Sequence, residues 1–335
     1  MSARPSPILA CLFAAFASTS EAQPPPATPT PKPPPPLRIP FSSLVPEATL
    51  AISGTRDFAA TDDALWIGSR EAGTVSRIDP QTNKIVQSIP AGKGACIGMA
   101  ADFGSVLVPQ CAQNAIVRID AKTNASTEVL PAPLSSSARS IATGVGSVWV
   151  ISDAKGTISR VDPVEKTVVA LIDLPSAATA LAYGADALWA ASVKGNSVSR
   201  INPYNNLIVE TIAAPNGPLD LAVGGGAVWS WNQADGSVTR IDPKTNTITT
   251  TIKIGAPMGA DARIAFGLGS VWVAGTGTPL VRIDPRTNQV VQIFTGAGTA
   301  SLAVAHGALW IAASPTTVWR LDPKRVEATR APAAR

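Results

Sequence analysis

Residues 219–254 read LDLAVGGGAVWSWNQADGSVTRIDPKTNTITTTIKI, and four short strands can be marked off in them. Leu219 to Val223, Ala227 to Trp231, Ser237 to Asp242 and Thr247 to Ile252 are each rich in β-forming residues and bounded by Gly, Pro, Asn or Asp. Gly224-Gly225-Gly226 supplies the positive φ that a tight turn between the first two strands requires. Asp242-Pro243-Lys244-Thr245-Asn246 is a second turn, in which Pro presets φ while Asp and Asn bond their own backbone.

The same unit recurs along the chain. Its signature Arg-hydrophobic-Asp/Asn appears at Arg77-Ile78-Asp79, Arg118-Ile119-Asp120, Arg160-Val161-Asp162, Arg200-Ile201-Asn202, Arg240-Ile241-Asp242, Arg282-Ile283-Asp284 and Arg320-Leu321-Asp322, a period of 38 to 42 residues. Ten or eleven residues before each Arg stands a large apolar residue: Trp66, Leu107, Trp149, Trp189, Trp229, Trp272 and Trp310. Repeats of this length with four antiparallel strands each are propeller blades. The sequence therefore predicts an all-β chain, a seven-bladed β-propeller of four-stranded antiparallel blades over residues 47–331.

Within a blade, a regular hairpin closing around Gln233 to Gly236 sets Trp229 opposite Arg240. Their indole and guanidinium are expected to stack, which assigns the recurrent Arg to structure and not to an anion-binding ring. Ala48 to Ser53 resembles a fourth strand but precedes the first Trp, and the last repeat offers only a weak fourth strand at Val326 to Arg330. The N-terminal segment is thus expected to complete the last blade and cover its open edge.

Residues 1–22 have the parts of a secretory signal: Arg4, an apolar run from Ile8 to Ala17, and small residues at Ser20-Glu21-Ala22, with cleavage expected after Ala22. The run is too short to span a bilayer. Residues 23–46 form a Pro-rich linker expected to be disordered, and 332–335 a tail. Secretion to the periplasm or the exterior follows. Removing the signal leaves Cys96 and Cys111, which the hairpin around Asp102 to Ser105 sets opposite each other, so a disulfide is expected. The net charge of +4 is spread by the once-per-repeat Arg, and no nucleic-acid partner is read from it.

The pattern Gly-x-Gly-Ser/Ala-Val-Trp-Val followed by Val-Ser/Thr-Arg-Ile-Asp-Pro-x-Thr-Asn resembles the YVTN-type repeat propellers and the wider virginiamycin B lyase-like superfamily, over about residues 47–331. The resemblance implies the propeller fold and leaves open a binding scaffold, a lyase or a metal-dependent lactonase-like hydrolase. The lyase would need a catalytic His and a Glu to help hold Mg. The sole His, His306, falls in a turn between the first and second strands of the last blade, read as solvated, with no second His to assist. A divalent cation held by Asp or Glu stays open; no quinone cofactor is expected, because the repeat lacks the docking motif of quinoprotein propellers.

Aligning each first strand on its Ala exposes what breaks the symmetry at the channel mouth. Two residues before that Ala stand Asp57, Gly98, Ser140, Ala180, Asp220, Arg263 and Ser301. Asp57, Asp220 and Arg263, with Arg139 nearby and Trp231 in a second-to-third-strand loop, form the candidate ligand site. The competing reading is a plain ion pair between Asp220 and Arg263. The favoured function is an exported monomeric propeller that binds an unidentified small molecule or protein.

Overall fold

The computed structural model describes residues 34–92, 94–95, 98–135, 141–259 and 261–330. The signal, residues 23–33 of the linker, Cys96, Arg139 and the tail lie outside the described residues. The chain divides into residues 1–35 and the unit Pro36–Arg335, and the second holds the sheets. Seven antiparallel sheets follow one another in sequence as the blades of a β-propeller.

In the fifth blade the strands are Pro218–Gly224, Ala227–Asn232, Ser237–Asp242 and Thr247–Lys253, within a residue or so of the sequence expectation. Six of the first hairpins turn on two residues with positive φ, from Phe103-Gly104 to His306-Gly307. Such a turn matches the right-handed twist of the flanking strands. The Gly before this turn answers a different need. A Cβ on Gly224 would lie 2.1 Å from the Phe266 ring of the next blade, and one on Gly144 2.5 Å from the Tyr183 ring.

Seven buried clusters hold the ring together, one between each pair of neighbouring blades. Trp66, Trp149, Trp189, Trp229, Trp272 and Trp310 are fully buried in them. Trp229 lies opposite Arg240 as expected, and the guanidinium carbon sits 5.1 Å from the ring centroid. Arg77, Arg160, Arg200 and Arg320 stack in the same way, at 5.0 to 5.6 Å.

Each of these Arg residues also reaches the next blade. Arg77, Arg160, Arg200 and Arg240 donate to the side-chain oxygens of Asn124, Asn206, Asn246 and Asn288, and Arg320 closes the circle on Asn83. These Asn end the turns that follow each Arg-hydrophobic-Asp/Asn signature, with φ near 60°, a conformation Asn tolerates better than most residues. Two blades lack the Asn and use a substitute. Lys166 replaces it in the third blade, and Glu128 pairs with both Arg118 and Lys166. In the last blade Arg282 bonds Glu327 at 2.6 Å. The turns that the sequence marks as punctuation are therefore the sockets of an inter-blade staple.

Closure follows the expected route: Ala48–Ala51 pairs antiparallel with Thr317–Leu321 and completes the last blade. Two expectations need correction. Val326 to Arg330 is not a strand; with the outer position occupied, the chain turns into the short helix Pro323–Ala328, capped by Asp322 with Pro at its first position. Gln292 anchors it by donating to the Val326 and Thr329 carbonyls. Nor does the linker run to residue 46, because Leu37–Pro40 adds a fifth, parallel strand to the sixth blade. Ile39, Phe41 and Leu44 are buried there, and Phe41 stacks on Trp319 at 5.0 Å, filling the wedge between the rims of the sixth and seventh blades.

Candidate functional site

Each inner strand starts at one mouth of the central channel, so residues at its N-terminal end face their counterparts around the ring. A cavity of about 180 Å³ opens there, lined by Asp57, Gly98, Asp220 and Arg263 of the symmetry-breaking position. The following position supplies Phe58, Met99, Ile141, Leu181, Ile264 and Leu302. All seven blades contribute. This apolar ring was missed in the sequence reading, although the same alignment moved on by one residue displays it.

The structure brings three of the proposed residues together. Arg263 Nη2 donates to Asp57 Oδ1 at 3.1 Å across a separation of 206 residues, and Nη1 lies 3.8 Å from Asp220 Oδ1. Asp220 Oδ2 accepts the backbone N–H of Ile264 at 3.2 Å, which fixes the carboxylate against the neighbouring blade. All three side chains are less than one-fifth exposed, so their charges are only partly screened. The ion pair weighed from sequence is present as one arm of a three-residue bridge spanning the fifth, sixth and first blades.

Trp231 does not join this site. It is fully buried in the cluster between the fifth and sixth blades, because its strand runs on to Asn232 and turns the indole inward. Arg139 lies outside the described residues, as does the side chain of Arg56. Cys111 opens a short 3-10 helix after the second strand of the second blade, and the pairing proposed for it falls on Cys96, outside the described residues. Ala95 bridges Gln110, a register offset from the Ala100–Asp102 hairpin.

His306 occupies the expected turn, at the end of the inner strand remote from the cavity. It is less solvated than expected: the residue is half-buried, and Nε2 is buried without a hydrogen-bond partner. The Mg that the resemblance implies would need a cluster of carboxylate or imidazole ligands. Among the described residues no three His, Cys, Asp or Glu gather as a ligand set would. At the mouth, Asp57 and Asp220 share the Arg263 guanidinium and Asp220 also accepts the Ile264 N–H, so both carboxylates are engaged by protein donors and a fixed positive charge stands where a cation would sit. The residues do not fit a Mg site, and no step is assigned to one. No helix among the described residues is long and apolar enough to cross a membrane.

Comparison with known proteins bears on the fold. Residues 186–301, from the fourth blade to the start of the seventh, match a family model described as a repeat of unknown function (DUF6923). The sequence finds no match among curated proteins. Among solved structures, virginiamycin B lyase from Staphylococcus aureus superposes with a TM-score of 0.68 at 20% identity, covering 82% of this chain and 98% of that one. A streptogramin B lyase gives 0.66 at 20% identity, over 81% and 94% of the two chains. The WD40 β-propeller domain of Doa1 gives 0.67 at 17%, over 85% and 99%. Likeness at this level of identity carries architecture and not activity, and the chain has the seven-bladed propeller fold that the virginiamycin B lyases also have.

Proposed function

We propose that this chain is an exported binding propeller whose ligand, a small molecule or a protein segment, seats at the channel mouth. The observation that carries the reading is the concentration of Asp57, Asp220 and Arg263 in a cavity to which every blade contributes. Convergent polar groups in an otherwise apolar concavity are the usual form of a ligand site. The test is a thermal-shift screen of a metabolite library against the native protein and the triple variant Asp57→Asn, Asp220→Asn, Arg263→Gln. Ligands that stabilise the native fold should lose their effect in the variant, as linkage requires. Binding that survives all three replacements refutes the site. Turnover of virginiamycin B by the native protein would instead establish a lyase.

Export rests on the n-region, apolar run and small-residue site of residues 1–22. Expression in a secreting bacterial host should yield a chain beginning at Gln23 outside the cytoplasm; an intact Met1 retained inside refutes it. The Cys96–Cys111 disulfide belongs to the same reading. Thiol titration of the unfolded, unreduced mature chain should find no free thiol, and finding two overturns the pairing.

A further inference from the structure

We infer that a slot between the first and second blades, opening beside the channel mouth, takes a flat aromatic ring that carries a hydrogen-bond donor, such as an indole. The repeat itself shows what such a slot holds. Trp231 pairs with Asp220 on the first strand of its blade and with Val238 on the third. In the first blade the residue in that register is Gly68, between Asp57 and Val75. Trp231 packs with Val238, Ile254, Ile264 and Val273 where the fifth blade meets the sixth. Their counterparts in the repeat, Val75, Ala91, Met99 and Val108, line a cavity where the first blade meets the second, together with Gly68 and Gly73. The walls of the two junctions are alike, and Gly68 leaves out the indole that fills one of them.

Met99 takes part of the missing volume. Its Sδ lies 3.0 Å from where a Cβ on Gly68 would stand, and a cavity of about 20 Å³ remains. Met99 also lines the cavity of about 180 Å³ at the mouth, so its unbranched thioether has room to swing out and give the slot up to a ring. Ile264 at the sister position is β-branched and has no such freedom. The polar groups left over at the two junctions are complementary. Trp231 Nε1 is buried without an acceptor, whereas Gln110 Oε1 is buried without a donor. Gln110 is wholly buried and stands against the slot lining: its Nε2 donates to the Ala91 carbonyl at 2.6 Å, and its Oε1 lies 3.8 Å from where a Cβ on Gly92 would be. A buried acceptor left unpaired is costly, and a ring N–H directed at Oε1 satisfies it. The slot stands whether or not the mouth is the ligand site.

The probes are indole, benzofuran, which has the same shape without the N–H, and cyclohexanol, which is apolar but not flat, measured by titration calorimetry and thermal shift on the native protein. Indole should bind at least tenfold more tightly than cyclohexanol and severalfold more tightly than benzofuran. Gly68→Trp, which fills the slot as the fifth blade does, should abolish indole binding. Gly68→Ala, a change small enough to keep the fold, should weaken it severalfold, and Asp220→Asn at the mouth should leave it unchanged. Each variant's melting profile shows whether it has folded. Failure of indole to bind folded native protein would overturn the inference and leave the mouth reading untouched. Binding that persists in folded Gly68→Trp and Gly68→Ala, or that Asp220→Asn abolishes, would place the ring elsewhere and overturn it too. Benzofuran binding as tight as that of indole would overturn the part given to Gln110.

Discussion

Replacing Trp229 by Ala tests whether the repeated Trp–Arg pair holds the blades together. Trp229 is fully buried, its Nε1 donates to the Gly224 carbonyl at 3.1 Å, and its ring carries Arg240 at 5.1 Å. Arg240 in turn holds the next blade through Pro285 O at 2.9 Å and Asn288 Oδ1 at 2.8 Å. Truncating a buried Trp costs about 3–5 kcal/mol from lost transfer energy and the cavity left behind. That is a large share of the roughly 5–15 kcal/mol by which domains are stable. Of this, about 0.5–2 kcal/mol belongs to the cation–π contact and is recovered as the coupling energy of a double-mutant cycle with Arg240→Met. Urea melts followed by Trp fluorescence and far-UV circular dichroism give the loss, and coincidence of the two probes checks that unfolding is cooperative. A loss under about 1 kcal/mol, or zero coupling to Arg240, would refute the stacking account.

Gly224→Ala should destabilise by about 1–3 kcal/mol in the same assay, because the new methyl group meets the Phe266 ring and a packed site resists added volume. Asn246→Gly, which keeps the backbone conformation but removes the acceptor for Arg200, should cost about 0.5–1.5 kcal/mol; no loss would mean that the staple contributes nothing. Backbone N–H donors of Gln81, Thr123 and Glu165 hold Asp79, Asp120 and Asp162 below the ordinary carboxylate value of 3.8. A folded-state pKa lowered in this way adds stability above the unfolded value and loses it as pH falls through the folded one. The melting temperature should therefore stay level down to about pH 4 and drop below it, and a rise on acidification would contradict the assignment.

Much of the fold was legible because a blade is a local object. Its strands, turns and the opposition of Trp229 and Arg240 follow from alternation and loop length within about 40 residues, and seven copies of the pattern make each assignment a check on the others. The same alignment exposed Asp57, Asp220 and Arg263, since a residue that breaks a repeat stands out wherever the repeat is well kept.

That Ala48–Ala51 completes the last blade was legible, but what is added around that closure was not. Leu37–Pro40 is four residues long and bounded by Pro, so it reads as linker, and only the wedge between two finished blades gives Ile39 and Phe41 a place to be buried. Val326 to Arg330 has strand-like residues, but Ala48–Ala51 already occupies the edge it would have taken. Trp231 reads as part of the second-to-third-strand loop, but the second strand extends to Asn232 and turns it into the core between the fifth and sixth blades. That Arg263 spans to Asp57 as well as Asp220 is decided by ring closure, which brings together side chains 206 residues apart. Sequence alone determined the blades, because their energetics are periodic and local. Only the tertiary structure decided how blades meet, because burial between them depends on the geometry of the closed ring.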